Sequence, residues 1–359
     1  MAERSIIPFG PQHPVLPEPI HLDLVIEDEV VVEALPQIGY VHRGLEKLVE
    51  KKDFHQYTFV AERICGICSF MHGMGYCMSI ESIMDIEITQ RAKYLRTIWA
   101  ELSRLHSHLL WMGLTADAFG FESLFMHSWR IREEILDIFE ETTGGRVIFS
   151  VCEIGGVRKD ITPEMLLKID QIMVSIKKQI EEIAVVFLTD SSVIHRLKGV
   201  GVLTKEQAYE LGAVGPMARA SGIETDMRQL GYGVYDQLDF KPITATAGDS
   251  MARMEVRIGE MVQSTELIRQ CIAKIPEGEI KVPVKGFPKG EYFTRIEQPR
   301  GEVIYYVKAN GTKFLDRVRV RTPTFANIPA LLETLKGCAL ADVPILILTI
   351  DPCISCTER

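Results

Sequence analysis

Two pairs of cysteines stand at opposite ends of this sequence, and each pair has the Cys-x-x-Cys spacing that binds metals. The first pair is Cys65 and Cys68, and the second is Cys353 and Cys356, near the end of the 359 residues. Four thiolates suit soft or borderline metals, among them zinc and the iron of iron-sulfur clusters. A site that uses all four requires the fold to bring the two ends of the chain together.

Spacing alone leaves three interpretations of the two pairs open. A structural zinc is one, although zinc modules usually hold their pairs close together in sequence, unlike these. A catalytic metal is the second. A thiol redox pair is the third, and it predicts a thioredoxin-like strand and helix around the motif, which neither pair displays. Metal analysis separates the three interpretations.

The composition is that of an acidic protein with a substantial core. Apolar residues make up 47% of the chain and the formal net charge is -9. The chain can therefore bury a large core, and it offers no basic field for phosphates, so we expect no nucleic-acid partner. The first residues lack a signal-peptide pattern, and the longest apolar stretch, 343–350, is much shorter than the ~20 residues of a membrane-spanning helix. We expect a cytoplasmic protein.

The remaining four cysteines stand alone, without the close spacing of iron-sulfur ligands. We expect them to be buried small side chains, and we expect no iron-sulfur cluster within this chain. They are Cys77, Cys152, Cys271 and Cys338.

The hydrophobic pattern predicts the elements that must position the two pairs. Residues 21–35 form two β-rich runs around a short polar turn, which predicts an N-terminal β-hairpin. Between 42 and 275 apolar residues recur at helical spacing, and Thr162 followed by Pro163 marks one helix start. The two longest periodic sets are Leu95, Ile98, Leu102, Leu105, Leu109 and Met112, and Leu166, Ile169, Met173, Ile176, Ile180, Ile183 and Phe187.

Near the C-terminal end, residues 279–322 alternate between apolar and charged side chains. This pattern predicts a small antiparallel sheet with a first strand at 281–285 and a turn at 309–311, and residues 326–338 again favour a helix. The predicted class is mainly α (α+β), with a long-helix bundle core. We predict a single domain over 1–359. Its segments are a β-rich segment 1–41, a helical core 42–275, the sheet 276–325 and a C-terminal segment 326–359 that carries the second pair.

The residues around the cysteines resemble a known family. The first pair lies in Glu-Arg-Ile-Cys-Gly-Ile-Cys-Ser-Phe-Met-His (62–72) and the second in Asp-Pro-Cys-Ile-Ser-Cys-Thr-Glu-Arg (351–359). Both resemble the paired signatures of NiFe hydrogenase large subunits. An end three residues after the last cysteine is similar to the mature form in that family, in which a protease removes a tail once nickel is loaded.

Three further segments narrow the resemblance. They are Gly-Pro-Gln-His-Pro (10–14), His-Arg-Gly-Leu-Glu-Lys-Leu (42–48) and Glu-Leu-Ser-Arg-Leu-His-Ser-His-Leu-Leu-Trp (101–111). These are similar to segments shared by energy-converting, membrane-associated hydrogenases of the Ech type and the quinone-site subunit of respiratory complex I. The complex I subunit lacks the four metal-binding cysteines, so their presence favours the hydrogenase side.

The resemblance implies a nickel-iron centre whose iron carries carbon monoxide and cyanide. Cys65 and Cys353 would be terminal ligands of nickel, and Cys68 and Cys356 would bridge nickel to iron. The ligand chemistry agrees, because a soft four-thiolate site suits nickel and binds it more tightly than iron.

Three further features match family positions next to the metals. Glu18 matches the glutamate that gates the proton path. Arg300, in Gln-Pro-Arg-Gly (298–301), matches the arginine whose guanidinium lies over the metals and can hydrogen-bond cyanide. Pro323 and Thr324 resemble the pair that contacts the cyanides of iron.

Three other residues are expected to support the centre. His72, four residues after Cys68, could donate to a bridging sulfur and tune its basicity. Arg63 would place positive charge beside the thiolates and lower their pKa values. Glu46 matches a glutamate that helps to hold magnesium near the C-terminus in uptake hydrogenases, although the family's terminal histidine is replaced here by Arg359.

The function that this resemblance implies is that of the catalytic subunit of an energy-converting NiFe hydrogenase. It would evolve hydrogen from reduced ferredoxin, coupled to ion translocation. The implied partners are a small subunit with a 4Fe-4S cluster, a ferredoxin-like iron-sulfur subunit, membrane ion-translocating subunits and soluble ferredoxin, which together would hold the chain on the cytoplasmic face of the membrane. The alternative is a non-catalytic, zinc-stabilised structural subunit of a complex I-like, quinone-linked assembly.

Overall fold

The computed structural model describes residues 4–16 and 18–359. It is 52% helical and 15% strand, which confirms the predicted mainly α class. The α-helices are α1 Phe54–Glu62, α2 Ser69–Ile83, α3 Gln90–Ala118, α4 Glu122–Thr143, α5 Pro163–Thr189, α6 Ser191–Leu197, α7 Lys205–Glu210, α8 Pro216–Arg219, α9 Ser250–Lys274, α10 Pro323–Leu335, α11 Val343–Thr349 and α12 Ile354–Glu358. The strands are β1 Ser5–Phe9, β2 His21–Glu27, β3 Val30–Gln37, β4 Cys152–Glu153, β5 Gly156–Val157, β6 Lys289–Gln298, β7 Gly301–Asn310 and β8 Leu315–Arg321.

Long helices form the core, as the periodic pattern predicts. Helix α3 packs against α4 and α9, and α5 packs against α9. The apolar residues predicted for α3 and α5 are all buried. Helix α5 starts where predicted, because the Thr162 side chain accepts from the backbone N–H of Met165 and Pro163 occupies the first turn. Within 4–16 and 18–359, no helix is both long and apolar enough to cross a membrane.

The N-terminal segment is a three-stranded antiparallel sheet in the order β1-β2-β3, and not only a hairpin. Strands β2 and β3 match the predicted hairpin, and β1 is an added edge strand whose Pro8 obscures it in the sequence. Leu22 and Leu24 of β2 are buried in one hydrophobic cluster with Ile350 and Ile354. This shared cluster is the packing that brings the two ends of the chain together.

The C-terminal sheet has the order β6-β7-β8, and its first strand differs from the prediction. The run 281–285 is not part of this sheet, and only Lys281 makes an isolated bridge, to Gly156. Pro283 lacks the N–H that a ladder needs, so pairing starts beyond it, at Lys289. Strands β6 and β7 are joined by a two-residue turn at 299–300, because Gln298 pairs with Gly301.

Candidate metal centre

The four cysteine sulfurs of the two pairs meet in one buried pocket, which we call the four-sulfur pocket. The Sγ atoms of Cys65 and Cys353 are 3.4 Å apart, and those of Cys68 and Cys356 are 3.5 Å apart. Sulfurs of Cys65, Cys68 and Cys356 all lie within 4.8 Å of one another. None of the four residues is more than 1% exposed. The structure therefore juxtaposes two segments that are 288 residues apart.

The first pair lies between two helices of the core. Cys65 follows the end of α1, and Cys68 is the residue that precedes α2. The backbone N–H groups of Ile67 and Cys68 each lie 3.3 Å from the Cys65 sulfur and donate to it. Donation of this kind favours the thiolate form of Cys65.

The second pair lies on the short helix α12, next to the start of α10. Cys353 precedes α12 and Cys356 is within it. The Cys353 N–H donates to the Thr324 hydroxyl at 3.1 Å, and the Thr322 hydroxyl donates to the Cys356 carbonyl at 3.0 Å. Pro323 lies between the two threonines, in the first turn of α10. The predicted Pro323-Thr324 pair is thus placed at the pocket.

The four thiols do not ionise alike. Hydrogen bonds from Cys353, Cys356 and Cys68 hold the pKa of Cys65 well below its usual value, helped by the charge of Arg300. Burial raises the pKa of Cys68 and Cys356 well above theirs. The pocket thus stabilises one thiolate and keeps neighbouring sulfurs protonated. A metal cation that binds here would release those protons.

A nickel-iron centre fits this donor set. Four soft sulfur donors face one another, and the surrounding side chains exclude water. Thiolates of this kind select zinc, copper(I), nickel or iron sites over magnesium and calcium. The pocket therefore has the ligand number and softness for a thiolate-bound metal centre.

Arg300 lies beside the pocket, at the tip of the turn between β6 and β7. Its guanidinium donates to the backbone carbonyl and the carboxylate of Asp351, each at 2.7 Å, and to the Ser107 hydroxyl at 3.2 Å. The turn packs closely against Gly215. A Cβ atom on Gly301 would lie only 2.8 Å from the Gly215 backbone. Only glycine permits this approach, which fixes how far Arg300 reaches.

A buried ionic cluster contacts the end of β6, directly before the same turn. Arg104 of α3 donates to the carbonyls of Glu297 and Gln298, at the end of β6. Arg219 pairs with Glu260 at 2.6 Å and with Glu297 at 2.8 Å. Because each of these charges is buried and paired, the cluster holds the end of β6 in one position.

Glu18 also reaches the second pair, as its predicted role requires. Its carboxylate accepts from the backbone N–H of Ile354 and from that of Ser355, the latter at 3.0 Å. Burial and the negative charge on Cys65 raise the pKa of Glu18 above its usual value. A carboxyl group next to the sulfurs is thereby made a better proton acceptor.

His72 links the pocket to a residue that the sequence did not single out. Its Nε2 lies 3.3 Å from the Cys356 sulfur, and its Nδ1 lies 2.7 Å from the Tyr305 hydroxyl. Burial lowers the pKa of His72 to about 4, so the ring is neutral near pH 7. If the hydroxyl donates to Nδ1, the proton of the neutral ring is on Nε2 and points at the sulfur.

Arg63 does not take the predicted position beside the thiolates. Its guanidinium donates to the Phe59 carbonyl at 3.1 Å and to the Ser150 hydroxyl at 3.2 Å, and its side chain is half exposed. It follows the last residue of α1, and the helix directs it outward. The guanidinium that lowers the pKa of Cys65 belongs to Arg300.

Glu46 lies near the C-terminal helix, but its surroundings do not fit magnesium. Its carboxylate accepts from the Val320 N–H and from the guanidinium groups of Arg319 and Arg359, the last at 2.9 Å. Magnesium needs several oxygen ligands in octahedral geometry. Two guanidinium groups already neutralise this carboxylate and would repel a cation.

The cysteines outside the pocket are buried, as predicted. They are Cys77, Cys152, Cys271 and Cys338.

Some residues at the pocket were not assigned a role from the sequence. Asp351, Arg43 and Ser107 lie inside segments that were recognised, so a signal for them was present. Tyr305 has no local signal, because only the fold brings it to the pocket.

Two family models match this chain. The model for the respiratory-chain NADH dehydrogenase 49 Kd subunit matches residues 118–287 and 284–359, and so includes the second pair. The model for nickel-dependent hydrogenase matches residues 43–115, and so includes the first pair.

Relatives of similar length include a hydrogenase, a dehydrogenase subunit and a chain of a respiratory membrane complex. A carbon monoxide-induced hydrogenase of Rhodospirillum rubrum is 39% identical over 359 residues, which are 98% of this chain and 99% of the relative. One subunit of the F(420)H(2) dehydrogenase of Methanosarcina mazei is 38% identical over 368 residues, covering 100% of this chain and 98% of the relative. A chain in the structure of the membrane-bound sulfane sulfur reductase, an archaeal respiratory membrane complex, matches with a TM-score of 0.95 at 30% identity over 99% of both chains.

Proposed function

Because the chain belongs to the family that unites large subunits of energy-converting NiFe hydrogenases with the 49-kDa subunit of respiratory-chain NADH dehydrogenase, we propose that it is the catalytic subunit of an energy-converting NiFe hydrogenase. The reaction would be the reversible conversion of dihydrogen to two protons and two electrons. The observation that carries this proposal is the four-sulfur pocket, in which two distant cysteine pairs face each other.

The cysteines would hold nickel and iron according to the family pattern. Cys65, Cys68, Cys353 and Cys356 would be the residues that hold the two metals. When bound, the centre would supply the Lewis-acidic metals at which dihydrogen is split, with carbon monoxide and cyanide on iron. Thr324, whose hydroxyl accepts from the Cys353 N–H, would contact the ligands of iron.

Proton movement would use Glu18. Its carboxylate is held against α12, close enough to Cys65 for the thiolate charge to raise its pKa. It can therefore take a proton from a sulfur and pass it toward the surface, where part of its side chain is exposed. Arg300 would stay charged through this exchange and stabilise negative charge in the pocket.

Electrons would have to pass between this chain and other subunits. The four cysteines outside the pocket lack the spacing of iron-sulfur ligands. We propose docking to a small subunit with a 4Fe-4S cluster and a ferredoxin-like subunit, with soluble ferredoxin as donor. The likeness to a chain of an archaeal respiratory membrane complex and to a subunit of a membrane-bound hydrogenase supports attachment to ion-translocating membrane subunits at the cytoplasmic face.

Metal analysis and infrared spectroscopy of the purified complex test the proposal. We expect one nickel per chain, one iron per chain beyond the iron of the partner clusters, infrared bands of carbon monoxide and cyanide, and hydrogen evolution with reduced ferredoxin. Zinc in place of nickel, without those bands, would overturn it.

That outcome would favour a second candidate, a non-catalytic subunit of a complex I-like assembly with a structural zinc. The observation that supports it is the match to the 49 Kd subunit model over most of the chain. The likeness to a sulfane sulfur reductase complex also supports a respiratory role without hydrogen.

A further inference from the structure

The loop at residues 39–46, which we call the cradle, contacts the last residues of the chain at several points. Glu358 is only 6% exposed, although it lies next to the last residue. Its carboxylate accepts from the backbone N–H of Gly39 at 2.6 Å and from that of Val41. A buried carboxylate is costly unless it is hydrogen-bonded, and here the cradle backbone supplies both donors.

Two side chains of the cradle bind backbone carbonyls of the same segment. His42 Nδ1 lies 2.5 Å from the Glu358 carbonyl, and because a carbonyl only accepts, the ring donates. One Arg43 nitrogen donates to the Ser355 carbonyl at 3.1 Å and to the Ile64 carbonyl at 2.8 Å.

The contacts of Arg43 join the two halves of the four-sulfur pocket. Ile64 directly precedes the first cysteine pair, and Ser355 lies between the cysteines of the second pair. A second Arg43 nitrogen donates to the Arg63 carbonyl at 2.8 Å. The planar guanidinium therefore fixes the spacing between two backbones that share no sheet or helix.

The last residue completes the contact. Arg359 pairs with Glu46 of the cradle at 2.9 Å, and its guanidinium lies over the Phe325 ring at 5.3 Å from the centroid. Helix α12 has only five residues, too few to be stable on its own. Its position must therefore come from contacts outside the helix.

We propose that the cradle is a binding site for the chain's own segment 355–359, and that this docking holds the second cysteine pair against the first without any metal. The cradle recognises a carboxylate, two backbone carbonyls and a terminal guanidinium. This inference does not rest on the hydrogenase proposal, because it concerns the metal-free protein.

Hydrogen exchange of the full-length, metal-free protein tests this proposal. The reporter is the peptide that contains the Thr357 amide, which bonds to the Cys353 carbonyl. In the wild type we expect this amide to be protected. In Arg43→Ala combined with Glu358→Ala we expect its exchange to accelerate about tenfold or more, because hydrogen bonds to charged groups are lost.

A matched control is Glu50→Ala, which removes an exposed carboxylate paired with Lys47 just beyond the cradle and should change nothing in the reporter peptide. Exchange in α3 and α5 reports whether the double variant is folded. Should it unfold, the single variant Glu358→Gln keeps the side-chain shape, and we expect a smaller acceleration confined to the reporter. An unprotected wild-type segment, or unchanged exchange in the variants, overturns the proposal.

Discussion

The two cysteine pairs supply the same number of thiol groups, yet they are held in different ways. The first pair lies between α1 and α2, and its neighbour Phe70 packs against Phe149 and Trp99 in the main hydrophobic cluster. The second pair lies at a five-residue helix whose Ile354 packs in the smaller cluster with β2, and polar groups from Glu18, the cradle and the start of α10 also hold it.

This difference suggests that one half of the pocket is preformed and the other half is docked. A half-site built by packing is as stable as the core itself. A half-site on a short terminal helix, which depends on a few hydrogen bonds as well as on packing, can open locally while the core stays folded. Metals could therefore enter when the C-terminal segment is displaced.

The largest effect should come from replacing a cysteine of either pair, because a metal site that uses all four sulfurs needs both halves. We expect Cys65→Ser and Cys353→Ser each to abolish nickel binding and to lower hydrogen turnover at least about 100-fold, because a ligand matters more than the outer partners that cost 10–100-fold. Metal content and hydrogen evolution measure both effects. Cys338→Ser, a buried thiol outside the pocket, should keep nickel. Retained turnover in either ligand variant would contradict a shared site.

The two halves should differ in how far a single substitution lowers the free energy of unfolding. We expect Phe70→Ala to lower the free energy of unfolding by about 3–5 kcal/mol, because it leaves a cavity in the core. Thr324→Val removes the acceptor of the Cys353 N–H and should cost only about 1–3 kcal/mol. Urea denaturation of the metal-free protein measures both losses. Equal losses would argue against a packed first half and a docked second half.

The stability of the protein should also depend on pH through Glu62, the last residue of α1, which lies next to the first pair. Burial raises its pKa to about 7, from 4.5 in the unfolded chain. Between these values the folded state keeps a proton that the unfolded state has lost, so stability falls as pH rises from 4.5 to 7, by up to about 3 kcal/mol.

Glu62→Gln should remove this part of the pH dependence. Urea denaturation at pH 5 and pH 8 gives the difference between variant and wild type. The exposed Glu50→Gln is the control and should keep the wild-type slope. A variant with an unchanged slope would assign the dependence to other groups.

The smallest expected effect is at Tyr305, which is linked to the second half by its hydrogen bond to His72. Tyr305→Phe removes the hydrogen bond to His72 Nδ1 and should cost about 0.5–1.5 kcal/mol of stability. We also expect a mixture of His72 tautomers in nitrogen NMR of the ring. Tyr306→Phe, whose exposed hydroxyl bonds Glu291, should leave the tautomer unchanged. A single unaltered tautomer in Tyr305→Phe would exclude this positioning role.

Local signals made much of the fold predictable. Apolar spacing identified α3 and α5, and Thr162 with Pro163 identified one start, because a cap and a helical face are encoded within a few residues. Strand β1 was missed because it is short, contains Pro8 and pairs only at the sheet edge. The strand predicted at 281–285 was wrong for a similar reason, the proline within it.

The site was predictable where a motif carried it and not where distant residues meet. The structure brings the cysteines of the two pairs, Glu18, Arg300, His72 and Thr324 together, and their roles stay predictions. Arg63 was expected to act because it is close in sequence, but the end of α1 turns it to the surface. Tyr305 could be expected to point inward by strand alternation, yet nothing local names His72 as its partner.

The 288 residues between Cys65 and Cys353 also set an order of events during synthesis. A ribosome that adds about 5–20 residues per second needs roughly 15 to 60 s to travel from one to the other. During that interval the first thiols exist without their counterparts, and a nascent chain cannot yet enclose a metal between the two pairs. A metal site that uses all four sulfurs can therefore form only after Cys356 has been translated.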